Sequence, residues 1–305
     1  MNQPTHHALA QHPDVTALVR LALDEDLRGG HDVTCAATLA PEVRLGGVVR
    51  AKEAGVVCGL WLFRTVFDVL GGTARVWDVA EDGSVVRVGD VVIRMEGDAT
   101  TLLVAERTAL NLCQRLSGTA TLTARYVAAV AGTRARILDT RKTTPGMRLL
   151  QKHAVVAGGG YNHRSGLYDQ VLIKDNHIAL MPPGPLGSGP AEAVRRCRER
   201  LGDTVLVEVE IERLADLEPC IHAGADIILL DNLPPASVRE AVARRDACAI
   251  SRTVTSRTVL LEASGGITLD TVRGFAESGV DRISTGELTH SVRSLDLSMR
   301  CEPIA

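Results

Sequence analysis

From about residue 133 onward the chain alternates short apolar runs with helical stretches, and every run stops on a polar or charged group. This repeated polarity constrains the fold more than any bulk property does. "RILDTRK" runs into Asp139, Arg141 and Lys142, and "VLIKDNH" runs into Lys174. "LVEVEIE" carries Glu208 and Glu210, and "IILLDN" ends on Asp231 and Asn232. "VLLEASGG" gives Glu262 and then Ser264, Gly265 and Gly266, while "RISTGELTHS" gives Thr285, Gly286 and Glu287. The pattern predicts strands over 135–138, 171–173, 205–211, 227–230, 259–261 and 282–284. Apolar strands that alternate with helices form βα units around a parallel sheet. In (β/α) barrels the chemistry sits at the C-terminal strand ends. A doubly wound open sheet gathers its ligands at one switch point and does not need polar endings on every strand. The expected fold class is therefore α/β, with a (β/α) barrel in the second half of the chain.

Upstream the texture differs. "DVTALVRLALDEDL" has apolar residues at helical spacing and predicts a first helix. From about 43 to 104 the runs are short, valine-rich and alternating, broken by Gly-Asp and Asp-Gly turns, which predicts an antiparallel sheet. "TLLVAERTALNLCQRLSGTATLTARYVAAVA" predicts a long amphipathic helical region, with Gly118 as a break or cap. Residues 1–12 are polar and aperiodic and read as a flexible leader. "MPPGPLGSGP", 181–190, reads as a surface loop, and 244–258 reads as partly loop.

Composition narrows the function. The 305 residues suffice for one large domain or two smaller ones. A net charge of −3 gives no reason to expect a nucleic-acid or membrane surface, and 3% aromatics argue against base-stacking platforms. Seven cysteines, an odd number without a C-x-x-C pair, read as reduced thiols of a cytoplasmic protein. The first residues show no basic segment followed by an apolar one, and no later stretch is apolar for long enough to cross a bilayer.

The strand ends gather Arg141, Lys142, Arg164 and Lys174 with Glu208, Glu210, Asp231 and Glu262. Because a strand alternates sides, Glu208 and Glu210 share one face. A structural ion-pair network is one reading, although so many charges at one rim are a poor source of stability. An anionic ligand accounts for the cations, and a hydroxyl-rich or Mg²⁺-bound ligand accounts for the acids. Gly158-Gly159-Gly160 and Ser264-Gly265-Gly266 are places where backbone can approach a ligand, phosphate included. Neither fits the G-x-x-x-x-G-K-[ST] or the G-x-G-x-x-G pattern. His153 and His177 read as structural histidines, whereas His163 adjoins Arg164. Arg107 in "AERTALN" lies on a predicted helix, where a charge usually just faces solvent.

"AERTALNLCQRLSGTAT", "LDTRKTTPGMR", "AVVAGGGYNHRSGLYDQVLIKDNH", "EVE", "ILLDN", "LEASGGI" and "GELTHS" follow one another in this order. Together they closely resemble the quinolinate phosphoribosyltransferase family over roughly residues 15–297. The resemblance implies an N-terminal α/β sandwich domain with an antiparallel sheet (13–117, rejoined by 290–305) and an irregular open (β/α) barrel (118–289). It implies a homodimer or a multiple of it, in which Arg107 completes the neighbouring active site. Arg141, Lys142, His163 and Arg164 would line the quinolinate pocket, and Thr140 would also bind substrate. Lys174, Glu210 and Asp231 would face phosphoribosyl pyrophosphate, with both acids near the ribose hydroxyls and Mg²⁺. Lys142, Lys174, Glu210 and Asp231 would carry the catalysis, with Glu208 supporting Glu210. Ser264, Gly265, Gly266, Thr285, Gly286 and Glu287 would cradle the 5′-phosphate. The family's reaction yields nicotinate mononucleotide, CO₂ and pyrophosphate, a step of de novo NAD synthesis, and implies no bound organic cofactor. One departure is Glu287, where the family more usually has a small residue: an acid there would repel phosphate unless it points away. Thr144 likewise replaces a common leucine.

Three rivals remain at this level. A paralogue of the molybdenum-transport-associated group shares the fold, but the "IKDNH" and "NHR" contexts are intact here. A Schiff-base lyase would use Lys174 at its strand end. A non-catalytic module that binds a phosphorylated ligand would not need both Glu210 and Asp231.

Overall fold

The computed structural model describes residues 6–40, 42–72, 74–248 and 258–304. The chain forms two compact units, one comprising Met1–Ala124, Thr143–Gly159 and Leu288–Ala305, the other Arg125–Lys142 and Gly160–Glu287.

The first unit is built on a four-stranded antiparallel sheet. Arg44–Ala51 runs between Leu297–Pro303 and Val91–Asp98, and Ala74–Asp78 pairs the far edge of Val91–Asp98. Residues of Arg44–Ala51 alternate between buried and partly or fully exposed, as expected for a sheet with one wet face. Val49, Ala51, Ile93 and Met95 join a core with Val15, Val19 and Leu23 of the helix Pro13–Leu27 and with Phe63, Val66 and Phe67 of Leu62–Leu70. Residues 6–12 depart from the expected leader. His6–Ala10 is a short helix, Leu9 is fully buried, and the His12 ring accepts from Asp14 N–H to cap the next helix. Residues 1–5 of that leader, and 249–257 of the expected partial loop, lie outside the described residues. Residues 244–247 are the end of the helix Pro235–Ala247.

Ala99–Ala129 is one uninterrupted helix, so Gly118 neither breaks nor caps it. A Cβ at Gly118 would stand 2.2 Å from the Arg293 carbonyl oxygen, and this close backbone approach is what the glycine permits. The triple glycine has a similar origin. Gly158 ends the helix Arg148–Ala157 and rests against the Ala120 carbonyl, where a Cβ would come within 2.4 Å. Gly159 makes the turn at φ 85°. Gly158 thus permits close packing and Gly159 the turn.

In the second unit six parallel strands form an open barrel sheet. Its order is Arg136–Leu138, Arg282–Ser284, Leu260–Ser264, Ile227–Asp231, Val207–Ile211 and Val171–Ile173. Among the described residues the two outer strands do not pair with each other. Val207, Val209 and Ile211 are buried on the side away from Glu208 and Glu210. All seven cysteines are free. No helix among the described residues is long and apolar enough to cross a membrane.

Candidate active site

Six parallel strands bring all their C-terminal ends to one rim, so the polar endings read from the sequence converge there. A cavity of about 450 Å³ opens at this rim. Thr140, Arg141 and Lys142 reach it from the end of Arg136–Leu138, and His163 and Arg164 from the segment before Val171–Ile173. Lys174, Glu210 and Asp231 enter from the next three strands, and Ser264, Gly265 and Gly266 close the far side. Leu172, Leu229, Asn232 and Ser284 complete the wall, and none of these four was marked as a site residue by the sequence.

Arg141, Lys142 and Arg164 all line this cavity. The Nε atoms of Arg141 and Arg164 are buried and have no hydrogen-bond partner among the described residues. Burial, with the charge of Arg141 next, holds the Arg164 guanidinium below its ordinary pKa. One Arg164 Nη donates to the Gln170 carbonyl at 3.2 Å, which fixes the plane of the fork. Leaving such groups unpaired costs on the order of 1–3 kcal/mol each.

Lys174 and Glu210 form the other pole. Lys174 Nζ lies 2.5 Å from Glu210, whose side chain is 12% exposed against 45% for the lysine. His177 Nδ1 accepts from Lys174 N–H at 3.0 Å, so this histidine is a structural fixture, as expected. Asp231 accepts from Asn232 Nδ2 at 2.6 Å. Asn232 takes the left-handed conformation at φ 54°, and its Oδ1 stands where a Cβ of Gly265 would be, 2.3 Å away. Gly265 itself is at φ 95°, so only glycine satisfies both backbone and space.

A buried layer supports the floor. Asp139, fully buried, accepts from His163 N–H at 2.8 Å. His163 Nδ1 accepts from Arg164 N–H at 2.8 Å, while Nε2 lies 2.9 Å from Glu208 and 3.5 Å from Glu262. With Nδ1 accepting, the neutral ring carries its proton on Nε2, facing Glu208. Burial opposes the charged ring, but the hydrogen bond to Glu208 and the charges of Glu208 and Glu262 outweigh it, and the His163 pKa lies above the ordinary histidine value. Gln170 donates to Glu208, and Arg282 Nε lies 2.8 Å from Glu262. Burial and then the charge of Glu208 push the Glu262 pKa up to about 7. Glu208 thus contacts Gln170 and His163 beneath the pocket.

The remaining predicted residues stand outside this cavity. Thr285 is buried and its hydroxyl donates to the Ile267 carbonyl at 3.2 Å, and Gly286 is buried beside it. Glu287 accepts from the Tyr126 hydroxyl at 2.5 Å. That contact accounts for an acid in a segment read as a phosphate cradle, because its charge is engaged by a phenol. Arg107 is exposed on Ala99–Ala129, in the first unit. His153, also in the first unit, pairs with Asp82 at 3.1 Å and meets the Trp61 ring edge-on, the structural role expected of it.

Comparison with known proteins gives these features a family. Residues 32–117 match the model of the quinolinate phosphoribosyl transferase N-terminal domain, and residues 119–300 match that of the C-terminal domain. A probable nicotinate-nucleotide pyrophosphorylase [carboxylating] of Bacillus subtilis is 44% identical, covering 82% of this chain and 81% of that protein. The nicotinate-nucleotide pyrophosphorylase [carboxylating] of Mycobacterium leprae is 42% identical over 92% of this chain and 95% of its own. The solved nicotinate-nucleotide pyrophosphorylase of Francisella tularensis superposes with a TM-score of 0.84 at 34% identity, covering 96% of this chain and 98% of that one. On its two matched domains and its similarity along nearly the whole length of these proteins, the chain belongs to the quinolinate phosphoribosyltransferase family.

Proposed function

We propose that the chain is a decarboxylating quinolinate phosphoribosyltransferase. It converts quinolinate and phosphoribosyl pyrophosphate into nicotinate mononucleotide, CO₂ and pyrophosphate, in NAD synthesis. The observation that carries this reading is the pair of buried guanidinium Nε atoms of Arg141 and Arg164 in one pocket, both without a partner among the described residues. Planar forks suit carboxylates, and two adjacent carboxylates on a pyridine need several such donors.

Thr140, Arg141, Lys142, His163 and Arg164 hold the dicarboxylate with its ring nitrogen towards the anomeric carbon. Lys174, Glu210 and Asp231 face the phosphoribosyl group. The nitrogen attacks the anomeric carbon as the C–O bond to pyrophosphate breaks, and Glu210 and Asp231 stabilise the oxocarbenium-like charge electrostatically. The C2–carboxylate bond then breaks and CO₂ leaves. The electron pair stays on C2, stabilised by the new pyridinium nitrogen, until C2 takes a proton. Ser264, Gly265 and Gly266 cradle the 5′-phosphate, with Thr285, Gly286 and Glu287 shaping the adjoining turn.

The donor set fits Mg²⁺ held chiefly through substrate. Glu210 is already paired with Lys174, which leaves Asp231 as the more available carboxylate, and neither belongs to a three-ligand cluster among the described residues. Mg²⁺ favours one or two carboxylates plus phosphates and water, and when bound it would supply charge neutralisation of the leaving pyrophosphate. Arg107 acts in the neighbouring subunit's site of a homodimer or a multiple of it.

A Schiff-base lyase is less well supported, because Lys174 sits half-exposed beside Glu210 rather than alone in an apolar pocket, the setting of a nucleophilic lysine. Equilibrium binding of quinolinate against nicotinate tests the reading. Quinolinate should bind at least about tenfold more tightly, the loss expected when one charge-assisted pair goes unmade. Equal affinities would contradict it.

A further inference from the structure

On the opposite side of the barrel sheet, at the N-terminal ends of its strands, lies a second cavity of about 390 Å³. Arg134, Arg136 and Arg282 line it against a single carboxylate among the described residues, Asp281. Arg136 and Arg282 are register partners on neighbouring parallel strands, so they stand at the same height. Asp281 is already committed: it lies 2.7 Å from Arg134, and it also accepts from Arg245 and from Leu261 N–H. Arg282 leans on buried Glu262. Arg136 has no carboxylate partner among the described residues, and its guanidinium lies 4.8 Å over the half-exposed Tyr161 ring. A lone exposed arginine is an ordinary surface feature, but three around one concavity leave positive charge that a small anion would neutralise.

We propose that this rear cavity binds a phosphomonoester of mononucleotide size. Guanidinium forks match phosphate oxygens two at a time. The volume lies in the lower part of the range for ligand pockets, more than a bare ion requires. Tyr161, Leu138 and Leu260 supply an apolar wall for the rest of the ligand. The site is separate from the front pocket, though the two share structure. Leu138 and Asn162 line the rear, whereas Thr140 and His163, two residues and one residue further along, line the front. The buried Arg282–Glu262–His163 contacts lie between them.

The test is calorimetric titration of AMP, without turnover, so it does not depend on the reaction proposed above. Three proteins are compared: wild type, an Arg141→Ala/Lys174→Ala variant with a disabled front pocket, and that variant carrying Arg136→Gln as well. The front-disabled protein should still bind one AMP per chain. Adding Arg136→Gln should weaken binding at least roughly tenfold, as loss of a charge-assisted phosphate contact does. Adenosine, without the phosphate, should bind weaker by a similar factor. Arg136→Gln alone should leave front-pocket turnover at the wild-type rate. The proposal is overturned if the front-disabled protein no longer binds AMP, if Arg136→Gln leaves the affinity unchanged, or if adenosine binds as well as AMP.

Discussion

Arg141 and Arg164 carry a local cost that the proposed dicarboxylate would offset. Each has a buried donor that no described group satisfies. Removing one should therefore reduce transition-state binding without unfolding the chain. Arg141→Ala should lower kcat/KM by at least about 100-fold, equivalent to roughly 2.7 kcal/mol, while the thermal midpoint stays within a few degrees of wild type. A normal kcat/KM, or an unfolded variant, would remove Arg141 from the proposed site. Glu262 makes a different prediction. Its carboxyl is raised from an ordinary 4.5 to about 7 by burial, so the folded state binds a proton that the unfolded state has released. Stability should then fall as pH rises from about 4.5 to about 7. His163, also raised, adds the same sign at the upper edge of that window. Urea unfolding of Glu262→Gln across the window should show a flatter profile than wild type, and parallel profiles would contradict the assignment.

At the scale of elements, the strands were the most legible part of the sequence. Val171–Ile173 and Arg282–Ser284 lie where their apolar runs placed them, because a short run bounded by polar residues is a local signal. Eleven of the residues marked at the strand ends and adjoining loops, from Thr140 to Gly266, line one cavity for the same reason: parallel strands put all their ends together. Gly118 was misread because its reason is not local. Gly118 answers to Arg293 and Gly158 to Ala120, partners that no nearby pattern reveals. Likewise Glu287 finds its hydroxyl donor in Tyr126, far upstream. Gln170, which holds both Arg164 and Glu208, carries no signal beyond preceding an apolar run. Gly118→Ala separates the local from the remote effect. Helix propensity alone would stabilise the variant by up to about 1 kcal/mol. The 2.2 Å approach to Arg293 should win and destabilise it by about 1–3 kcal/mol in chemical denaturation. A more stable variant would show that the helix and its neighbour part easily.

At the scale of the whole molecule, Arg107 belongs to the first unit and is absent from the cavity lining of the second. The proposed homodimer makes it a donor to the neighbouring site, and complementation tests this. Arg107→Ala and Arg141→Ala proteins should each be nearly inactive. After dissociation and equal mixing, about a quarter of wild-type activity should return, because half the dimers are mixed and each of these holds one intact site. No recovery despite confirmed mixing would place Arg107 outside the partner's site. The most direct measurement of the reaction incubates the purified protein with quinolinate, phosphoribosyl pyrophosphate and Mg²⁺ and follows CO₂ and nicotinate mononucleotide together. Both products should appear in equal amounts, and nicotinate should not replace quinolinate. A folded protein that yields neither product, or that accepts nicotinate equally well, would contradict it.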